Sequence, residues 1–165
     1  MKQGLFKIIE NKALTDCVYK MVLQGDTSAI TAPGQFVNIK LDGLFLRRPI
    51  SVCDVNGDQL TIIYKVVGKG TAQMAKMTGG MLDVLTGLGN GFNMDIPSEH
   101  PVLAGGGIGI APLYGLAQRM LEAGMEPTIA LGFRTAKDVY YLDEFVKLGC
   151  RLLIATEDGS MGTKG

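Results

Sequence analysis

Pro101-Val102-Leu103-Ala104-Gly105-Gly106-Gly107-Ile108-Gly109-Ile110-Ala111-Pro112 decides how the second half of the chain folds. An apolar run enters a cluster of glycines and leaves as an amphipathic segment that reaches Glu122. That is the grammar of a buried strand, a tight loop and a helix. Pro112 suits the first helical turn, where its missing N–H costs nothing. Downstream, Thr128 to Gly132 reads as a second strand, Leu142 to Leu148 as a second helix and Arg151 to Ala155 as a third strand. The alternation βαβαβ predicts a parallel sheet in the order 3-2-1. The loop departs from the GxGxxG fingerprint, because the third glycine position holds Ile110, and Gly132-Phe133-Arg134 stands where an acidic residue is usual.

Upstream the grammar is different. Leu5 to Glu10, Cys17 to Gln24, Gln35 to Lys40, Pro49 to Val55, Leu60 to Val66 and Met81 to Leu85 are short β-compatible runs. Pro33-Gly34 and Asn56-Gly57-Asp58 supply turns between them. In the fifth run Leu60, Ile62, Tyr64 and Val66 share one face, with Thr61, Ile63 and Lys65 on the other. A short helix is predicted over Thr71 to Met77. Six strands with one helix predict a small antiparallel β-barrel. The boundary falls near Pro97 to Pro101, dividing residues 1–98 from an α/β unit of residues 99–165.

Composition narrows the function classes. Lys plus Arg and Asp plus Glu balance at 16 each in 165 residues, which gives no reason to expect nucleic acid or an anionic membrane as partner. The uncharged run from Pro101 to Gln118 is short and broken by glycine and proline, so no membrane span is expected. The first residues, Met1 to Lys12, hold no continuous apolar stretch, so no signal peptide is expected. Cys17, Cys53 and Cys150 are far apart, with no CxxC spacing for a zinc ribbon or an iron–sulfur cluster. A reduced, cytoplasmic protein is expected. Met74, Met77 and Met81 read as core fillers, and His100 has no expected role. Cys53 reads as a small buried hydrophobe.

Several motifs carry candidate chemistry. In Arg47-Arg48-Pro49-Ile50-Ser51 an arginine opening a strand can fork two charge-assisted bonds to a phosphate, and a serine three residues on can reach a ring nitrogen. A surface ion-pairing arginine is the plainer alternative. Gly68-Lys69-Gly70-Thr71 precedes a helix and lets the backbone approach a phosphate; a turn with Thr71 as N-cap is its alternative. The stretch Leu85-Thr86-Gly87-Leu88-Gly89-Asn90-Gly91-Phe92 lines a cleft or is a flexible connector. Thr156-Glu157-Asp158-Gly159-Ser160 closes the third parallel strand at the end where ligands bind, or is a polar turn.

Taken in order, RxxS, GT before a helix, GLGNGF, GGGxGxAP and TEDGS resemble the motif series of the ferredoxin–NADP reductase superfamily. Within it, the chain is similar over its whole length to the electron-transfer subunits of the two-subunit, NAD-linked dihydroorotate dehydrogenases. The resemblance implies a flavin-binding barrel followed by a nucleotide-binding α/β domain. It implies FAD held by Arg48, Pro49, Ile50, Ser51, Ile63, Tyr64, Lys65, Gly70 and Thr71, with Ser51 catalytic at the reactive N5 edge and Ile63, Tyr64 and Lys65 on the adenosine side and ribityl chain. It implies that Gly105, Gly106, Gly107, Gly109, Thr156 and Asp158 hold NAD as substrate. The implied partner is an FMN-containing catalytic subunit, in pyrimidine biosynthesis. A 2Fe–2S cluster on a cysteine-rich C-terminal segment is implied only for a full-length form, because four thiolates are needed.

Two alternatives stay open: the small subunit of a ferredoxin-dependent NADP transhydrogenase or sulfide dehydrogenase, and a non-catalytic FAD-binding module. The chain's last residue, Gly165, follows its third parallel strand. That leaves the α/β domain apparently incomplete and predicts that the first strand lies at an open edge, with the chain a truncated version of a longer protein.

Overall fold

The computed structural model describes residues 1–165. Six strands close into an antiparallel barrel: β1 (Lys2–Ala13), β2 (Val18–Gln24), β3 (Phe36–Lys40), β4 (Arg48–Asn56), β5 (Gln59–Lys65) and β6 (Met81–Leu88). Around the barrel they run β1-β2-β5-β4-β3-β6, and α1 (Lys69–Ala75) is inserted between β5 and β6. The alternation read in the fifth strand holds for Leu60, Ile62 and Tyr64, all buried inside the barrel, while Val66 lies beyond the strand end. Gly57, with φ +58°, closes the β4–β5 hairpin, a conformation that glycine adopts without strain.

The second half is a parallel sheet ordered β10-β9-β8-β7, built from β7 (Val102–Gly106), β8 (Thr128–Phe133), β9 (Arg151–Thr156) and β10 (Thr163–Lys164). The helices are α2 (Ala111–Glu122) and α3 (Leu142–Lys147). The order 3-2-1 is observed, with β7 at the open edge and Val102 exposed. The expectation of three strands needs correction. Thr163–Lys164 adds a short parallel strand on the outer side of β9. Gly162, φ +66°, allows this return. A Cβ there would stand 2.1 Å from the Ile154 carbonyl oxygen.

Two apolar cores result. One fills the barrel around Phe6, Met21, Leu60, Ile62 and Tyr64. The other starts in the parallel sheet, runs through Leu113, Leu116, Ala117 and Met120 of α2, and ends on Val18, Cys53 and Ile63 on the outside of the barrel. The apolar spacing of α2 thus cements the two halves. The contact is close: a Cβ on Gly115 would come within 2.7 Å of the Cys53 carbonyl oxygen. Cys53 is buried as expected, and burial pushes its thiol pKa up. Met74 is a core residue and Met77 packs beside it, but Met81 is exposed on the barrel surface, contrary to the reading of all three as core fillers. No helix is long and apolar enough to cross a membrane.

Candidate functional site

The register of β4 creates an opening in the barrel wall. Its first half pairs only with β3, Arg48 with Ile39 through Ser51 with Phe36. Its second half pairs only with β5, Val52 with Ile62 through Asn56 with Gln59. A bulge between Val52 and Asp54 marks the change of partner. Beyond Ile62, the residues Ile63, Tyr64 and Lys65 pair with β2 alone. Two strands therefore diverge, Arg48-Pro49-Ile50-Ser51 on one side and Ile63-Tyr64-Lys65 on the other. Each turns an unpaired backbone edge toward the gap, and backbone donors and acceptors so exposed call for a partner.

The two arginines that open β4 have separate jobs. Arg47 pairs with Asp83, Nη1 and Nη2 both donating to Oδ1 at 3.0 Å, and Nη1 also donates to the carbonyls of Asn38 and Asp83 at 3.2 Å. It is the ion-pairing arginine of the plainer reading. Arg48 pairs with no carboxylate. Its Nη1 donates to the Leu46 carbonyl, and its side chain lies across Gly70, where a Cβ would stand 2.1 Å from Nε. The structure thus brings together Arg48 and Gly70, two residues singled out from separate motifs. The N–H groups of Gly70 and Thr71, in the first turn of α1, have no protein acceptor. An uncompensated guanidinium over a glycine that leaves it room suits an anion such as a phosphate.

The remaining residues around this opening divide by what they expose. Ser51 and Lys65 are exposed. The side chains of Ile63 and Tyr64 are buried, Ile63 in the core between the halves and Tyr64 in the barrel, where its hydroxyl donates to Asn11 Oδ1 at 2.9 Å. Burial pushes the Tyr64 pKa up to about 12. Of these two residues it is therefore the backbone, not the side chain, that borders the opening. The Thr71 hydroxyl is likewise engaged: it accepts from the N–H groups of Val67 and Gly68 and donates to the Gly68 carbonyl. Gly68, not Thr71, is the N-cap. The Gly87–Phe92 stretch is held as well. Gln35 donates to the Gly89 carbonyl at 2.9 Å, and the Phe92 N–H to Pro33 at 2.8 Å. It braces the Pro33-Gly34-Gln35 turn.

A second cleft of about 420 Å³ lies between the barrel and the parallel sheet. Lys65 borders it from the barrel, with Gly106, Gly107, Arg134 and Glu157 from the sheet. Gly107 adopts φ +52°, and Tyr140 donates a 2.9 Å hydrogen bond to its carbonyl. Gly105 serves packing, since a Cβ there would meet Leu113 at 2.7 Å. Gly109 has open space beside it. Thr156 is fully buried, its hydroxyl donating to the Met161 carbonyl and accepting from the Met161 N–H. The Asp158 carboxylate accepts from the Ser160 N–H and hydroxyl, which hold its pKa below the usual carboxylate range. Both shape the turn, and the side chain that reaches the cleft is Glu157. Glu157 stands inside the Thr156–Ser160 motif without a role of its own in the sequence reading, and Tyr140 is absent from that reading. A lone aromatic after an irregular loop gives no periodic signal.

Cys17, Cys53 and Cys150 do not fit an iron–sulfur cluster, because no three ligating side chains of any kind converge in the structure.

A barrel opened by a split fourth strand, joined through α2 to a parallel sheet with a glycine loop, defines the class of ferredoxin–NADP reductase-like oxidoreductases. The NADH-dependent reduced ferredoxin–NADP oxidoreductase, solved in a study of flavin-based electron bifurcation, superposes with a TM-score of 0.87. It is 34% identical, over 98% of this chain and 60% of that one. A ferredoxin NADP+ reductase from Neisseria gonorrhoeae with bound FAD and NADP has a TM-score of 0.84, over 99% of this chain and 72% of that one. At 21% identity, that second likeness is one of fold. No protein-family model matches the chain.

Curated relatives are closer in sequence. The dihydroorotate dehydrogenase B (NAD(+)) electron transfer subunit of Bacillus velezensis is 41% identical over all of this chain and 68% of its own length. Its counterpart in Listeria monocytogenes is 38% identical over all of this chain and 67% of its own length. The chain belongs to the family of dihydroorotate dehydrogenase B electron transfer subunits. It spans about two thirds of the length of these relatives.

Proposed function

We propose that the chain binds FAD in the opening between β4 and β5, and that the protein carries electrons between an FMN-containing dihydroorotate dehydrogenase catalytic subunit and NAD. That places it in pyrimidine biosynthesis, in the cytoplasm. Residues 1–98 form the flavin unit and residues 99–165 part of the nicotinamide unit. The observation that carries the reading is Arg48, free of any carboxylate, lying over Gly70 beside two unpaired strand edges.

The residues present fit the flavin. Arg48 neutralises the phosphates, and the N–H groups of Gly70 and Thr71 add donors beside it. Pro49, Ile50 and Ser51 offer one strand edge to the ring, and Ile63, Tyr64 and Lys65 offer the other to the adenosine side and ribityl chain, largely through backbone. The Ser51 hydroxyl stands ready to hydrogen-bond the N5 edge. Bound there, FAD would supply the exchange of a hydride with nicotinamide and of electrons with the partner. In the second cleft Gly106 and Gly107 let a dinucleotide approach the backbone. Gly105 and Gly109 shape that loop, and Thr156 and Asp158 hold the turn that faces it.

Flavin titration tests the reading. Apoprotein should bind FAD, and Arg48→Ala should weaken it by about 1.5–3 kcal/mol, the worth of a hydrogen bond to a charged group. Unchanged affinity overturns the phosphate assignment. The likeness to NADH-dependent reduced ferredoxin–NADP oxidoreductase at 34% identity favours a second reading, the small subunit of a ferredoxin-linked transhydrogenase. Reduction by dihydroorotate with its catalytic subunit, against reduction by NADPH with a ferredoxin-linked partner, separates the two.

A further inference from the structure

Phe6 and Ile8 of β1 are buried in the barrel, and continued alternation would send Asn11 outward. A bulge between Ile8 and Glu10 shifts the register, and Asn11 pairs with the fully buried Met21. Paired residues share a face, so the Asn11 amide turns inward. A polar group sent toward an apolar core is costly unless its hydrogen bonds are made. Here they are made. Asn11 Oδ1 accepts from the Tyr64 hydroxyl at 2.9 Å, and Nδ2 donates to the carbonyls of Met74 at 2.8 Å and Met77 at 2.9 Å. One amide thus joins β1, the β5 residue whose backbone borders the opening, and the C-terminal end of α1.

The grip on α1 bears on Arg48. Gly70 and Met74 are both buried and stand four residues apart in α1, so they share a face, about 6 Å apart along the axis. Asn11 holds the Met74 end. The Gly70 end carries the Arg48 side chain, so closely that a Cβ on Gly70 would stand 2.1 Å from Nε. Apart from Gln73, which donates to the Asp42 carbonyl at 3.3 Å in an exposed contact, the hydrogen bonds that tie α1 to the rest of the barrel are those of Asn11. We infer that Asn11 is a positioning residue: it fixes α1 from inside the barrel, and so sets where Gly70 stands and where the Arg48 guanidinium lies. The inference rests on the reading of Arg48 as the phosphate ligand. It adds a residue that touches neither Arg48 nor the flavin, and acts through the helix.

The test is a double-mutant cycle read by calorimetric titration of the apoprotein with FAD, on the native chain, Asn11→Ala, Arg48→Ala and the double variant. Asn11→Ala should weaken FAD by about ten-fold when Arg48 is present and by less than about two-fold when it is not, a coupling within the range found for residues that act through one network. A merely structural role weakens FAD by the same factor in both backgrounds. Tyr64→Phe keeps the buried ring and removes only the hydroxyl that orients the amide. It should repeat the pattern with a smaller loss, and it alone decides the matter if Asn11→Ala does not fold. Equal losses with and without Arg48 overturn the inference. So does native affinity in the Asn11 and Tyr64 variants while Arg48→Ala binds weakly, an outcome that leaves the phosphate reading standing. Native affinity in Arg48→Ala overturns the phosphate reading and the positioning role with it, as does a native chain that binds no FAD.

Discussion

Gly70→Ala is the substitution whose effect the structure specifies most closely. The new methyl would sit 2.1 Å from Arg48 Nε, 2.9 Å from Cδ and 2.9 Å from Cζ, so one of the two must move. The obstacle is the far end of a flexible side chain, and the guanidinium swings away while the backbone stays. Folding should hardly suffer, since alanine is favoured over glycine inside a helix by up to about 1 kcal/mol. Binding should suffer, because the displaced arginine forfeits a charge-assisted bond to phosphate worth about 1.5–3 kcal/mol. That is a loss of roughly ten- to 150-fold in FAD affinity, at about 1.4 kcal/mol per decade. Calorimetry on Gly70→Ala, Arg48→Ala and the double variant reads this directly. If the methyl acts only by moving Arg48, the double variant binds no worse than Arg48→Ala alone. Native affinity in Gly70→Ala, or full additivity in the double variant, refutes the displacement argument.

Three further outcomes follow from other features. Ser51→Ala should keep FAD affinity nearly intact yet slow flavin bleaching by NADH in a full-length chain; an unaltered stopped-flow rate removes Ser51 from the N5 edge. Asp54 lies half-buried between β4 and α2, and desolvation, reinforced by Glu122, raises its pKa. A carboxyl whose folded-state pKa is raised contributes stability only at low pH and loses it as pH rises, so Asp54→Asn should raise Tm at about pH 7 and leave it unchanged at about pH 3. Equal shifts at both would point to packing rather than charge. The unpaired edge of β7 invites pairing with another chain, so the 165-residue chain should self-associate in light scattering, exchange Val102–Ala104 amides readily and bind NADH poorly. Val102→Lys should reduce the association. A monomer with those amides strongly protected and tight NADH binding contradicts the edge argument.

The parts of this molecule that were legible in the sequence are those with a period. Leu60, Ile62 and Tyr64 announce a strand face, and α2 is found over the residues its apolar spacing predicts, Ala111–Glu122. The unreadable parts lack one. The bulge at Cys53 is a single residue out of phase, and β10 is two residues long. Arg47 and Arg48 are chemically identical neighbours, and only Asp83, distant in sequence, decides which is spent on an ion pair. Ile63 reads as the outward face of a barrel strand, and nothing local reveals that α2 and the sheet will cover it. Thr71 and Thr156 look available because hydroxyls in loops usually are. Their saturation depends on local turns with no sequence signature beyond the residues themselves.

The close contact between Gly115 and the Cys53 carbonyl lies between the two regions proposed to hold cofactors. Ser51 lies just before Cys53 on β4, and α2 reaches Gly115 directly after the glycine loop. On the proposed reading, the spacing between flavin and nicotinamide is set across the apolar seam between α2 and the barrel, and Gly115 is the point on that seam that leaves no room for a side chain. That point has almost no tolerance. Any side chain at position 115 pushes the helix off the barrel and shifts the glycine loop with it. Donor and acceptor would then move apart although neither binding site had been touched.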